Sequence, residues 1–244
     1  LKELITDLTK RHVFGVPLAH MHVIEFQKRG LPHAHILLTL REEDKAIGAA
    51  AIDQIISAEI PDVNTHPRLH SIVTRCMLHG PCGQLNNTAT CMQNPRGICD
   101  KGFPKPFNET TVENNNSYPK YRRRDNGRTF TKQCFVNNRQ EDVTFDNRHV
   151  VPYNSYLLLK YWAHINVEEC ASILSVKYIY KYVYKGHDRA NVLIRTDEIQ
   201  MHIDARYLSA IEALWRLFQY TIEEKSHTVR TLHLHLPNMH TVFF

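Results

Sequence analysis

Two histidines one residue apart, His33 and His35, follow a carboxylate and an amide, Glu25 and Gln27, across a short segment holding Lys28, Arg29, Gly30 and Pro32. Gly and Pro between two apolar runs are turn residues, so the stretch reads as a β-hairpin. Side chains alternate faces along a strand, which sends His33 and His35 to one side and pairs Glu25 with Gln27 on one side of the preceding strand. Folding at the turn brings an oxygen ligand beside two imidazoles, a half-open site for a divalent cation that can polarise a phosphodiester. Glu25 is the first choice for the third ligand, because its charge binds Mg²⁺ or Mn²⁺ better than an amide does. Gln27 is the alternative, and hairpin register decides between them. Lys28 and Arg29 stand at the turn, where cations can approach a polyanionic ligand.

With 16 His in 244 residues, about one His-x-His is expected by chance. Three occur, at His20/His22, His33/His35 and His233/His235. On a strand continuous through residue 27, His20 and His22 face away from Glu25 and Gln27, and no acidic residue lies close to His233 or His235. Only the 33/35 pair has a hairpin partner that carries ligands.

Lys177-Tyr-Ile-Tyr-Lys-Tyr-Val-Tyr-Lys185 supplies a different chemistry. Projected as a helix, Val176, Ile179, Tyr180, Val183 and Tyr184 fall on one side, while Lys177, Tyr178, Lys181, Tyr182 and Lys185 fall on the other. Tyr180 and Tyr184 then pack, and Tyr178 and Tyr182, four residues apart among lysines, can reach one phosphate region. A phenol is a weak nucleophile at neutral pH, with an ordinary pKa of about 10. Ammonium neighbours such as Lys181 and Lys185 favour the phenolate. Read instead as a strand, the four tyrosines share one face.

His79-x2-Cys82-x8-Cys91-x7-Cys99 lies in a Gly-, Pro- and Asn-rich stretch without periodicity. One imidazole and three thiolates make a closed tetrahedral zinc site, which would order a loop too polar to build a core. Cys76 is an alternative ligand in the compact run Cys76-x2-His79-x2-Cys82, whereas Cys134 and Cys170 read as ordinary buried thiols. Further on, Lys120-Tyr-Arg-Arg-Arg124 is expected to clamp phosphates through Arg122, Arg123 and Arg124, with Tyr118 or Tyr121 offering a base a stacking face.

The elements that must position these groups follow from periodicity. Residues 1–11 read as a short amphipathic helix, and 14–27 with 33–40 as the hairpin. Residues 42–58 read as a helix, acidic at its start and followed by Pro61. Residues 66–77 are mixed, and 79–127 are irregular. A strand is expected in 133–143 and a connector in 147–154. Helices are expected at 157–163, at 173–186 with Gly186 as its C-cap, and at 207–221, where Leu208, Ile211, Leu214, Trp215 and Phe218 have the spacing of a core face. The final residues alternate like a strand.

Length suits one large domain or a compact pair. The first residue is Leu, so an excerpt of a longer protein is expected. No apolar run reaches the length of a membrane span, and no signal-peptide pattern is present. A net charge of +5 and a pI near 8.8 are compatible with a polyanionic partner. Six Cys without secretory signs suit a reducing, intracellular compartment and metal binding sooner than disulfides.

Residues 25–38, the block from Tyr178 to Gly186 and much between them resemble the Rep endonuclease of Helitron rolling-circle transposons, a branch of the HUH endonucleases. Further matching phrases are Ala58-Glu-Ile-Pro-Asp62, Met77-Leu-His-Gly-Pro-Cys-Gly83, Phe103-Pro-Lys-Pro-Phe107, Tyr121-Arg-Arg-Arg124, Val150-Val-Pro-Tyr-Asn154 and Glu212-Ala-Leu-Trp-Arg216. The resemblance implies an α+β fold over residues 1–244: a central antiparallel sheet, flanking helices and a Cys/His-rich irregular insertion at 76–130. It implies that Tyr178 and Tyr182 are paired nucleophiles acting on single-stranded DNA, leaving a 5′-phosphotyrosine and a free 3′-hydroxyl. It also implies transposon ends as substrate, a helicase domain in the full-length protein and a nuclear location. Two stretches depart from the pattern: His20-Met-His22 stands where apolar or aromatic residues are expected, and residues 223–227 match only loosely.

Overall fold

The computed structural model describes residues 1–26, 31–114, 118–137, 139–170 and 209–228. These residues form an α+β structure with two small antiparallel sheets. The chain divides into two compact units, one of Leu1–Lys45 with Ile179–Phe244 and one of Ala46–Tyr178.

In the first unit, helix α1 (Lys2–Thr9) precedes strands β1 (Pro17–Glu25) and β2 (His33–Leu40). α1 is as short as the sequence predicts, and Arg11 closes its C-terminal end by pairing with Glu3 and Asp7. β1 is the central strand of the order β2-β1-β5, where β5 is Glu223–Lys225. The β1–β2 register sets Glu25 opposite His33 and Val23 opposite His35. β5 lies on the other edge of β1, with His22 opposite Glu224 and Val23 opposite Glu223. At the base of the hairpin, Asp44 accepts a hydrogen bond from Val16 N at 2.8 Å. Gly15 has φ +113, and a Cβ there would stand 2.5 Å from the Asp44 Cβ, so only glycine fits.

Helix α5 (Ala210–Leu217) is shorter than the expected 207–221. Ser209 Oγ caps it by accepting from Glu212 N at 3.2 Å. Its apolar residues do not form the expected core face. Leu214, Leu217 and Phe218 are exposed, and the buried residue of the helix is Glu212, held by Arg216 at 2.9 Å. Trp215 instead makes an edge-on contact with Phe26, ring centres 5.8 Å apart.

The second unit holds α2 (Ala49–Ile55), α3 (Pro67–Cys76), the hairpin β3 (Phe130–Val136) and β4 (Arg139–Phe145), and α4 (Ser155–Tyr161). The long helix expected at 42–58 breaks into a 3₁₀ turn at Glu42–Asp44 and α2, because Gly48 takes φ +89 as the N-cap of α2. The mixed stretch at 66–77 becomes α3, with Pro67 in its first turn. Leu69, Ile72 and Val73 recur at i, i+3 and i+4 and enter the core with Ile60, Met77, Val150, Tyr153 and Leu158. The single strand expected at 133–143 is a hairpin: Val136 pairs with Arg139, and Asn137 adopts φ +45, a conformation that asparagine tolerates. The described residues of 79–127 are irregular, apart from the 3₁₀ turn Thr90–Met92 and isolated bridges. α4 begins where Asn154 accepts from Leu157 N at 3.0 Å.

Candidate metal centres

The tightest cluster of potential ligands among the described residues is His79, Cys82, Cys91 and Cys99, whose ligand atoms all lie within 4.8 Å of one another. His79 Nε2 is 3.5 Å from Cys91 Sγ and 3.4 Å from Cys99 Sγ. Tetrahedral coordination with metal–sulfur bonds of about 2.3 Å puts ligands roughly 3.5–4 Å apart, so these separations fit a four-coordinate ion. The surrounding loop holds the geometry. Asp100 N donates to Cys91 O at 2.9 Å, and Gly102 N donates to Cys99 O at 2.8 Å, with Gly102 at φ +65. Phe103 stacks on His79 with ring centres 4.3 Å apart, fixing the imidazole plane. Burial lowers the His79 pKa, which keeps the ring neutral and able to ligate. The four residues named from spacing are thus brought together and can hold a metal ion such as zinc. The alternative ligand Cys76 is not among them, since it packs against the core around Ile72 and Val73.

The second set lies on the sheet of the first unit. β2 presents His33 and His35 on one face, and the register sets Glu25 on that face too. Glu25 Oε2 is 2.8 Å from His35 Nε2, a diagonal contact across the ladder, while His33 stands directly opposite Glu25. His33 is exposed and the Glu25 and His35 side chains are partly so, which leaves the face accessible to a ligand. Two imidazoles and a carboxylate fit a divalent cation. The three are not drawn into a cluster as tight as that around His79. The same register adds a residue that sequence reasoning missed. Glu223, opposite Val23, shares the face of Glu25 and His35, and Lys225 Nζ lies 2.5 Å from its Oε1. No local signal marks Glu223; only the non-local pairing of β1 with β5 reveals it. The other expected groups (Gln27, Lys28, Arg29, Tyr178, Lys181, Tyr182 and Lys185) lie outside the described residues.

Within the arginine run, Arg123 departs from the expected phosphate clamp, while the side chains of Arg122 and Arg124 stay partly exposed. Arg123 is 3% exposed, and its Nη1 donates to the carbonyls of Val150 at 2.6 Å, Asn147 at 2.7 Å and Ala58 at 3.3 Å. Burial pushes its pKa down to about 10, so it is still charged at neutral pH. Arg124 holds Glu59 through its backbone N at 2.7 Å and its Nη2 at 2.6 Å, and Arg122 reaches Asp53 at 3.1 Å. Burial alone would raise the Glu59 pKa, but the bonds from Arg124 outweigh it and hold the carboxyl below its ordinary value. Tyr121 is buried as well, its hydroxyl accepting from Glu169 N at 2.9 Å, so it offers no stacking face. A run of arginines looks the same in sequence whether it binds phosphate or internal carbonyls. The distinguishing partners, Ala58–Glu59 and Asn147–Val150, lie far along the chain.

Residues 1–38 match the family model described as "Helitron helicase-like domain at N-terminus". The match covers 38 of the 244 residues and is a similarity of that segment to a transposon-associated family. The segment contains Glu25, His33 and His35. No curated protein matches the chain. No helix among the described residues is long and apolar enough to cross a membrane.

Proposed function

We propose that this chain is the nicking and joining endonuclease of a Helitron-type transposon, of the HUH class, acting on single-stranded DNA at transposon ends. One observation carries the reading. The segment that matches the Helitron model sets Glu25 against His35, with His33 on the same face of an antiparallel sheet. Glu25, His33 and His35 would hold Mg²⁺ or Mn²⁺, with Gln27 as the alternative oxygen ligand; the ion would neutralise charge on the scissile phosphate. Tyr178 or Tyr182 attacks phosphorus: the Tyr O–P bond forms, the P–O3′ bond breaks, and the 3′ oxygen leaves as a hydroxyl after taking a proton. Lys181 and Lys185 favour the attacking phenolate. A second tyrosine permits a second cleavage while the first link persists, which suits strand transfer. The His79/Cys82/Cys91/Cys99 cluster would hold structural zinc, and the full-length protein would carry a helicase.

The test is incubation of end-labelled single-stranded DNA with protein and Mn²⁺, followed by a denaturing gel. A covalent protein–DNA band is expected from wild type and is lost in Tyr178→Phe/Tyr182→Phe and in His33→Ala/His35→Ala. DNA binding with neither cleavage nor adduct would replace this reading with that of a catalytically silent single-strand-binding remnant.

A further inference from the structure

The face of β1 opposite Glu25 carries a second constellation of the same composition. Alternation puts His20 and His22 together on that face. β5 completes it, because Glu224 is the direct partner of His22, and facing residues of an antiparallel pair have Cβ atoms only about 5 Å apart. The edge is fixed beside His20, where Ser226 Oγ accepts from His20 N at 2.9 Å and Ser226 N donates to His20 O at 2.9 Å. His227 follows, its Nδ1 2.8 Å from Ser226 Oγ. His20, Glu224, Ser226 and His227 line a cleft of about 440 Å³, with Lys10 and Thr9 of the first helical segment at its other wall.

His22 is the telling residue. It is 4% exposed, and its Nδ1 has no hydrogen-bond partner. A buried polar atom without a partner is costly, and a ligand on that nitrogen removes the cost. Glu224 is exposed and on the neighbouring strand, free to turn towards either imidazole.

We propose that His20, His22 and Glu224 form a second sheet-borne metal site, back to back with Glu25, His33 and His35, for a divalent transition ion such as Zn²⁺. Imidazole ligands select zinc-like ions over Mg²⁺ or Ca²⁺. The site stands whether or not the opposite face supports DNA cleavage, since none of its ligands is shared with that face.

The test is equilibrium dialysis of the whole chain against Zn²⁺ with metal counted per protein, for wild type, His20→Ala and Glu224→Gln. Both substitutions sit at accessible positions, and circular dichroism confirms that the variants fold. Each variant is expected to bind one Zn²⁺ fewer than wild type, while His33→Ala/His35→Ala retains this equivalent. An equal Zn²⁺ count in wild type, His20→Ala and Glu224→Gln would overturn the proposal.

Discussion

Replacing Arg123 by methionine is expected to destabilise the second unit severely while leaving any phosphate-binding surface untouched. Methionine keeps much of the length and removes the cation. Three backbone carbonyls, of Ala58, Asn147 and Val150, then lose their donor inside the core. Each buried acceptor left unpaired costs about 1–3 kcal/mol, and removing a buried, hydrogen-bonded partner typically costs about 3–5 kcal/mol in all. The loss of desolvation strain on the guanidinium, visible in its lowered pKa, offsets part of the sum, so the lower half of that range applies. For a unit of this size about 3–4 kcal/mol lowers Tm by roughly 10–15 °C. The assay is thermal unfolding followed by circular dichroism, with filter binding of single-stranded DNA run at a temperature where both proteins are folded. Arg123→Lys should recover part of the loss, because all three bonds come from the single nitrogen Nη1 and an ammonium also carries three donors, though on a shorter side chain. An Arg123→Met protein with unchanged Tm and weakened DNA binding would refute the structural assignment and restore the phosphate-clamp reading.

Removing the ion expected at His79, Cys82, Cys91 and Cys99 by Cys99→Ser should lower the zinc content by one per chain and lower Tm, and chelation should lower Tm likewise. A preparation that holds no zinc and ignores chelators would contradict this. Glu59 and Asp146 both have depressed pKa values; a carboxyl whose folded pKa lies below its unfolded one stabilises above the unfolded value and loses that contribution as pH falls. Their contribution to Tm should therefore fade below about pH 4.5, with a shallower acid limb in Glu59→Gln, beneath an earlier decline from about pH 6.5 where His22 and His79, whose folded pKa values are lowered, take up protons more readily in the unfolded chain, as a pH series of melts would show. On the hairpin, Glu25→Gln should weaken Mn²⁺ binding measured by calorimetry by roughly tenfold or more. Unchanged affinity would exclude Glu25 as the oxygen ligand.

Local signals carried part of this structure and part of its sites. The Gly/Pro turn and alternating apolar residues defined the β1–β2 hairpin, and with it the shared face of Glu25, His33 and His35, because register within a hairpin follows from its turn. Cys and His spacing found the four residues around His79 because a loop without a core must be tethered by something. What stayed hidden was non-local. The turn at Asn137 splits 133–143 into two strands, and the polar residues Arg139 to Asp142 give the second strand no apolar alternation to mark it. The burial of Arg123 depends on carbonyls 24 to 65 residues away. Neither Glu223 nor Glu224 has a neighbour in sequence that hints at β1. The apolar spacing of α5 suggested a core face, yet its exposed leucines show that periodicity reports a helix and not what covers it.

The family-like phrases at 58–62, 121–124 and 150–154 acquire a common explanation in the second unit. Arg123 ties Ala58 to Val150, Arg124 clamps Glu59, and Tyr153 Oη donates to Glu59 O at 2.9 Å. Asn147 closes the ring, accepting from Ile60 N at 2.7 Å and donating to Arg124 O at 2.8 Å. Polar groups buried this deeply are tolerable only when each is satisfied by another in the set, so no one phrase can vary freely without the rest. A resemblance made of short separated phrases is what such a knot would leave in a sequence, even where none of its residues touches a substrate. The chemistry-bearing hairpin is built differently, on one strand whose alternate residues face opposite ways. Deleting a single residue between His22 and Glu25 would carry Glu25 to the other face. That variant should lose the Glu25–His35 contact while α3, α4 and the arginine knot stay folded, and a Tm matching wild type alongside lost Mn²⁺ binding would separate the site from the scaffold.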